Sequence, residues 1–152
     1  MIKAEDLRIG DLVKVNEVGC MVPKGTMCKV VAIDSEKFFE EKNLKGCATI
    51  IELEVNHCNI SWGIWCKYIS PIPLTPELLE KNGWERDELV TYIYGHEAHY
   101  IEVICTPNSE WVDVTFKGDT IRRIKYVHEI QHVLWALGED ANIKIQTKSN
   151  KI

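Results

Sequence analysis

The sequence predicts an α+β protein in two halves. An N-terminal small β-barrel of the SH3-like kind is expected over 1–73. It joins a C-terminal half over 74–152, in which a three- or four-stranded antiparallel sheet is packed by a long helix. Three observations predict this. The front of the chain breaks into short, β-rich, alternating segments separated by polar turns, the pattern of a small closed all-β unit. Pro71-Ile72-Pro73-Leu74 then interrupts it, because two prolines at alternate positions favour extended chain and cannot both donate to a ladder. Beyond that join, strand-like segments lead into one long apolar-periodic stretch closed by Gly138.

The elements follow in order. Asp11 to Val15 alternates and follows a turn residue, Gly10. Pro23-Lys24-Gly25-Thr26 marks the next turn, and Met27 to Ile33 reads as a strand. Ser35 to Lys45 is charged, with Phe38 and Phe39 inside it, and reads as a short helix inserted in a loop with Ser35 as N-cap. Ala48 to Val55 and Ile60 to Trp65 read as further strands. After the join, Thr75 is an N-cap with Pro76 at the first helical position, where its missing N–H costs nothing. Leu74 and Leu79 fit a hydrophobic staple, and Asn82-Gly83 ends that helix. Leu89 to Tyr94 and Tyr100 to Cys105 read as a hairpin across Gly95-His96-Glu97-Ala98, and Trp111 to Phe116 as a third strand. Gly118-Asp119 is a turn, and the longest helix is expected from Ile121 or Ile124 to Leu137. Ile143 to Ile145 is a candidate final strand, and the polar tail from Thr147 is expected to fray.

Composition narrows the function classes. The chain has 152 residues, 45% hydrophobic and 27% charged, with a net charge of −5. Each half carries 9 Lys+Arg, against 10 Asp+Glu in 1–74 and 13 in 75–152, so neither half is basic. A nucleic-acid partner is disfavoured on that ground, with Arg122, Arg123 and Lys125 the only tight basic cluster. The start lacks a basic end followed by an apolar run, and no apolar stretch approaches a membrane span, so a cytoplasmic protein without a membrane partner is expected. Cys20, Cys28, Cys47, Cys58, Cys66 and Cys105 form no C-x-x-C pair, so they read as free thiols packed as small hydrophobes.

One motif carries chemistry. His128-Glu129-Ile130-Gln131-His132 is a literal H-E-x-x-H. Residues i and i+4 share a helix face, so both imidazoles can reach one zinc ion while Glu129 acts as general base on metal-bound water. A third ligand is lacking at any familiar spacing; Glu139, Asp140, or a hairpin histidine (His96 or His99) would have to supply it. On a helical wheel, Tyr126, Val127, Ile130, Val133, Leu134 and Leu137 form the apolar arc, and His128 and His132 lie roughly opposite. The histidines should then point away from the core. A solvated or interface pair is the favoured reading, with no cofactor; zinc is the alternative.

The remaining candidates are weaker. Trp62, Trp65 and Tyr68 could offer an aromatic groove for a peptide, but core or domain-join packing is favoured. His57 and Cys58 are strand neighbours pointing to opposite faces, which excludes a dyad between them. Lys24-Gly25-Thr26 lacks the upstream glycine and the following helix of a phosphate loop. For a protein–protein contact, Ile124, His128, His132 and Trp135 are the candidates, since they mix apolar and polar groups on one helix face.

Three blocks occur together: Asp6-Leu7-Arg8-Ile9-Gly10-Asp11-Leu12-Val13, Pro71 to Trp84 (PIPLTPELLEKNGW), and Tyr126 to Glu139 (YVHEIQHVLWALGE). In that order they resemble a group of small uncharacterised proteins of phages, prophages and mobile elements of Bacteroides-type bacteria. The group's last block usually reads His-Gln-Leu-Gln-Asn where this chain has His128 to His132, which implies a structural helix varied locally into a zinc-like pattern. The resemblance implies no activity. It implies a binding or accessory module in the bacterial host cytoplasm, working through a protein partner or self-association. The rival readings are a zinc-dependent, peptidase-like hydrolase and, third, a nucleic-acid-binding barrel.

Overall fold

The structure is a computed structural model that describes residues 2–16, 22–34, 50–55, 61–87, 89–95 and 100–145, with backbone alone for Ala4, Asp34, 50–55, Ser61, Trp62 and Trp65. It is a mixed α+β chain that divides into two compact units, Met1–Ile72 and Pro73–Gln146. Among the described residues, no helix is long and apolar enough to cross a membrane.

The first unit holds β1 (Leu12–Val15), β2 (Met27–Asp34), β3 (Ile50–Val55), β4 (Ser61–Trp65) and β5 (Ile69–Pro71). All pair antiparallel in the order β4-β3-β2-β1-β5, and among the described residues this sheet is open. Alternation places Val13 and Val15 fully inside while Leu12 and Lys14 stay half-buried. They pack with Ile2, Leu7, Val22, Cys28, Val30, Ile64 and Ile69. The turn before β1 is fixed by Gly10, whose φ of +100° suits glycine, and by the buried Asp11 carboxylate, which accepts the Arg8 N–H at 2.7 Å.

β5 corrects the reading of Pro71 as mere linker. A 3₁₀ turn at Cys66–Tyr68 swings the chain back so that Ile69 faces Val15 and Pro71 faces Val13. As an edge strand, β5 tolerates a proline that an inner strand would reject. The helix expected over Ser35 to Lys45 lies outside the described residues.

The second unit opens with α1 (Pro76–Lys81). Thr75 Oγ1 accepts the Leu78 N–H at 3.3 Å, and Gly83 takes a φ of +82° just past the Asn82 C-cap, as the sequence predicts. Five strands follow in a meander ordered β10-β9-β8-β7-β6: β6 (Glu85–Arg86), β7 (Thr91–Tyr94), β8 (Ile101–Ile104), β9 (Val112–Phe116) and β10 (Asp119–Ile124). Tyr92 faces Val103, which faces Val114, and Val112 faces Ile124. One sheet face is therefore apolar and buried. On the other, Thr115 donates to Glu102 at 2.7 Å and Arg123 pairs with Asp113 at 2.7 Å. The closing helix, α2 (Val127–Ala136), buries Val127, Ile130, Val133 and Leu134. Each such side chain contributes about 1.5–3 kcal/mol by leaving water.

Two expectations fail here. The sheet has five strands rather than three or four, and the stretch from Ile121 to Ile124 is strand, not helix. Lys117 and Gly118, both at positive φ (53° and 84°), make a two-residue turn whose twist suits a hairpin, so the chain returns along β9. Ile143 to Ile145 joins no strand.

Candidate functional site

The site is built on the first turns of α2. Tyr126 is the N-cap, in extended conformation with φ −125° and ψ 157°. The Glu129 carboxylate folds back over it. One oxygen accepts the Lys125 N–H at 2.8 Å and the Tyr126 N–H at 2.9 Å, and the other lies 3.9 Å from the Arg122 guanidinium. The Tyr126 N–H is one of the donors that a helix start leaves without intrahelical partners, and the Lys125 N–H lies just before it. Glu129 is thus occupied as a helix cap, a task different from the general-base role that its place in the motif suggested.

His128 corrects the helical wheel. Only 4% of it is exposed, against the expectation that it points into solvent. The reason lies in Tyr126, which is outside the helix and not bound by its periodicity. Its ring stacks on His128 with centroids 5.9 Å apart and planes at 12°. His132 closes the other side edge-on, at 5.8 Å and 77°. The Nδ1 atom of His128 is buried with no hydrogen bond among the described residues, while other interactions engage the side chain. His132 is half-buried.

The other site residues separate. Ile124 is 0% exposed, so it belongs to the core and offers no surface. Trp135 is 68% exposed. Glu139 supplies its N–H to Leu134 O at 2.9 Å in closing the helix, and Asp140 accepts the Asn142 N–H at 2.9 Å. Among the described residues, no three His, Cys, Asp or Glu side chains gather where a metal ion could sit. His96 and His99 lie outside the described residues, as do His57 and Cys58.

A neighbouring cluster escaped the sequence reading. The Lys125 ammonium pairs with Glu110 at 2.6 Å and sits 5.7 Å from the Trp111 ring and 5.8 Å from the Tyr126 ring. Both rings are within cation–π range. Trp111 is 48% exposed. The alternation of β9 held the signal: with Val112 and Val114 inward, Trp111 falls on the outward side.

The described cysteines behave as packed thiols. Burial pushes the Cys28 and Cys105 thiols up to about 11, and Cys66 is also raised by burial, with Asp6 adding to it. At neutral pH they are protonated and poorly nucleophilic. Lys24-Gly25-Thr26 lies in the turn before β2 and leads into a strand, not a helix. Tyr68 packs against the first unit's core, while the side chains of Trp62 and Trp65 lie outside the description.

No protein-family profile, no curated protein and no solved structure matches this chain.

Proposed function

We propose that the chain is an accessory module of phage or mobile-element type that acts by binding, through a protein partner or self-association, without catalysis. The observation that carries this is Trp135, 68% exposed on a helix whose opposite side is buried. Tryptophan has a large apolar area, is enriched at interface centres and often dominates binding energy there. Half-buried His132, one helical turn before it, supplies the polar component that a non-obligate interface carries. The use of Glu129 as a cap favours this reading over the zinc hydrolase, whose general base it would have to be.

The phage-type origin and bacterial cytoplasmic setting rest on the three sequence blocks. The SH3-like reading of the first unit is supported by its strand order, with β5 returning beside β1, and by the 3₁₀ turn just before that last strand. Neither half is basic, which keeps the nucleic-acid reading third.

The test is Trp135→Glu, followed by multi-angle light scattering and by capture from host lysate. Because the position is exposed, the variant should keep the wild-type circular dichroism spectrum and melt. Loss of assembly or of a specific captured partner is the expected result. A variant that assembles and captures like the wild type sinks the proposal.

A further inference from the structure

The segment after α2 is held in an unusual way. The helix ends at Gly138, with φ +79°, and the chain then passes both helices of its unit without joining a sheet. Two carboxamides tie it to them. Gln131, on α2 and only 6% exposed, donates from Nε2 to Ala141 O at 3.1 Å. Asn82, the C-cap of α1, accepts the Lys144 N–H at 2.6 Å through Oδ1 and donates to Lys144 O at 3.1 Å through Nδ2. One carboxamide thus gives one residue both an acceptor and a donor, the exchange that an opposing strand residue would make.

Burial along the segment alternates. Ala141, Ile143 and Ile145 are half-buried, while Asn142 and Lys144 are exposed. That period of two marks extended chain with one side down. The hydrogen bonds reach only backbone, so they read no side chain. Selection is left to the apolar positions at every second residue. Recognition of an added strand divides its labour in the same way, backbone bonds giving affinity and alternate side chains giving specificity.

We propose that Asn82 and Gln131 form a backbone-reading groove for an extended peptide of a protein partner, apolar at alternate positions, and that residues 141–145 are its resting occupant. The occupant is placed to yield. It has no ladder, its apolar residues are only half-buried, and a segment so lightly held opens at the low end of local stability. Tethering gives it an effective concentration on the order of millimolar, so a free peptide competes poorly until the segment is weakened. The proposal uses the Asn82 and Gln131 carboxamides and not the Trp135 side chain, so it stands or falls apart from the Trp135→Glu test.

The experiment uses the full chain with Ile143→Asp, which spoils the occupant and keeps both carboxamides. The probe is a fluorescein-labelled peptide with the sequence of residues 140–145, read by anisotropy. The variant should bind it at least tenfold more tightly than the wild type does, and adding Asn82→Ala should remove that gain. Hydrogen exchange on the wild type should show the Lys144 amide opening faster than the amides of β8 and β9. A variant that melts cooperatively but takes up no peptide overturns the proposal. So does a variant that loses its cooperative melt, or a Lys144 amide as protected as the sheet, since the segment would then be fixed core.

Discussion

Glu129 shows how one side chain can satisfy a catalytic pattern and serve a different physical need. A helix beginning at Val127 leaves N–H groups at and before its first turn without intrahelical partners, and the cap residue, tyrosine, is a poor N-cap by type. The carboxylate three residues on makes up the deficit by accepting from both Lys125 and Tyr126. Its negative charge also sits at the favourable end of the helix dipole. Glu129→Ala should therefore destabilise the protein by about 1–2 kcal/mol, the range for losing a cap. Glu129→Gln keeps an acceptor oxygen and should lose roughly half as much. Urea unfolding of the three proteins checks this. Equal stability of Glu129→Ala and wild type would show that the cap contributes nothing.

At the scale of elements, the misplaced helix start shows what the pattern could and could not say. Ile121, Ile124, Val127 and Leu134 recur at helical spacing, so periodicity alone carries the helix too far back. Nothing in that spacing reports that Lys117 takes φ +53°, which is what sends β10 back along β9. Asn-Gly or Asp-Gly would have announced such a turn; Lys-Gly does so weakly. α1 was legible because Thr75, Pro76 and Gly83 each carry their own local reason. The buried His128 was not legible, because part of its cover comes from Tyr126, outside the helix, where a wheel has no authority. Nor were the carboxamide ties of Asn82 and Gln131, which depend on tertiary placement alone. The turn gives a prediction of its own. Lys117→Asn puts a residue that tolerates the left-handed region into that position and should stabilise the hairpin by about 0.5 kcal/mol. A thermal melt that falls instead would mean that Lys117 holds the turn through contacts asparagine cannot replace.

Across the whole molecule, each unit carries a thiol that burial holds protonated, Cys28 in the first and Cys105 in the second, both pushed up to about 11 from an ordinary 9.0. Glu77 adds to the effect at Cys105. Linkage fixes the sign. Below pH 9 folded and unfolded thiols are both protonated, and the burial of the neutral form stands unopposed. Between 9 and 11 the unfolded chain releases the proton while the folded one keeps it, so stability must fall as pH rises. Above the folded value both states are ionised and the slope ends. For Cys28, buried in the first core, the fall is at most about 1.4 kcal/mol per pH unit. Tyr92, raised mainly by burial as well, adds the same sign, so wild type alone cannot isolate the thiols. Cys28→Val and Cys105→Val can, because each removes one titrating group and leaves the rest. Melting temperatures measured from pH 8 to 11 should drop less steeply in each variant than in the wild type. Parallel curves would show that these thiols ionise alike in the folded and unfolded chain.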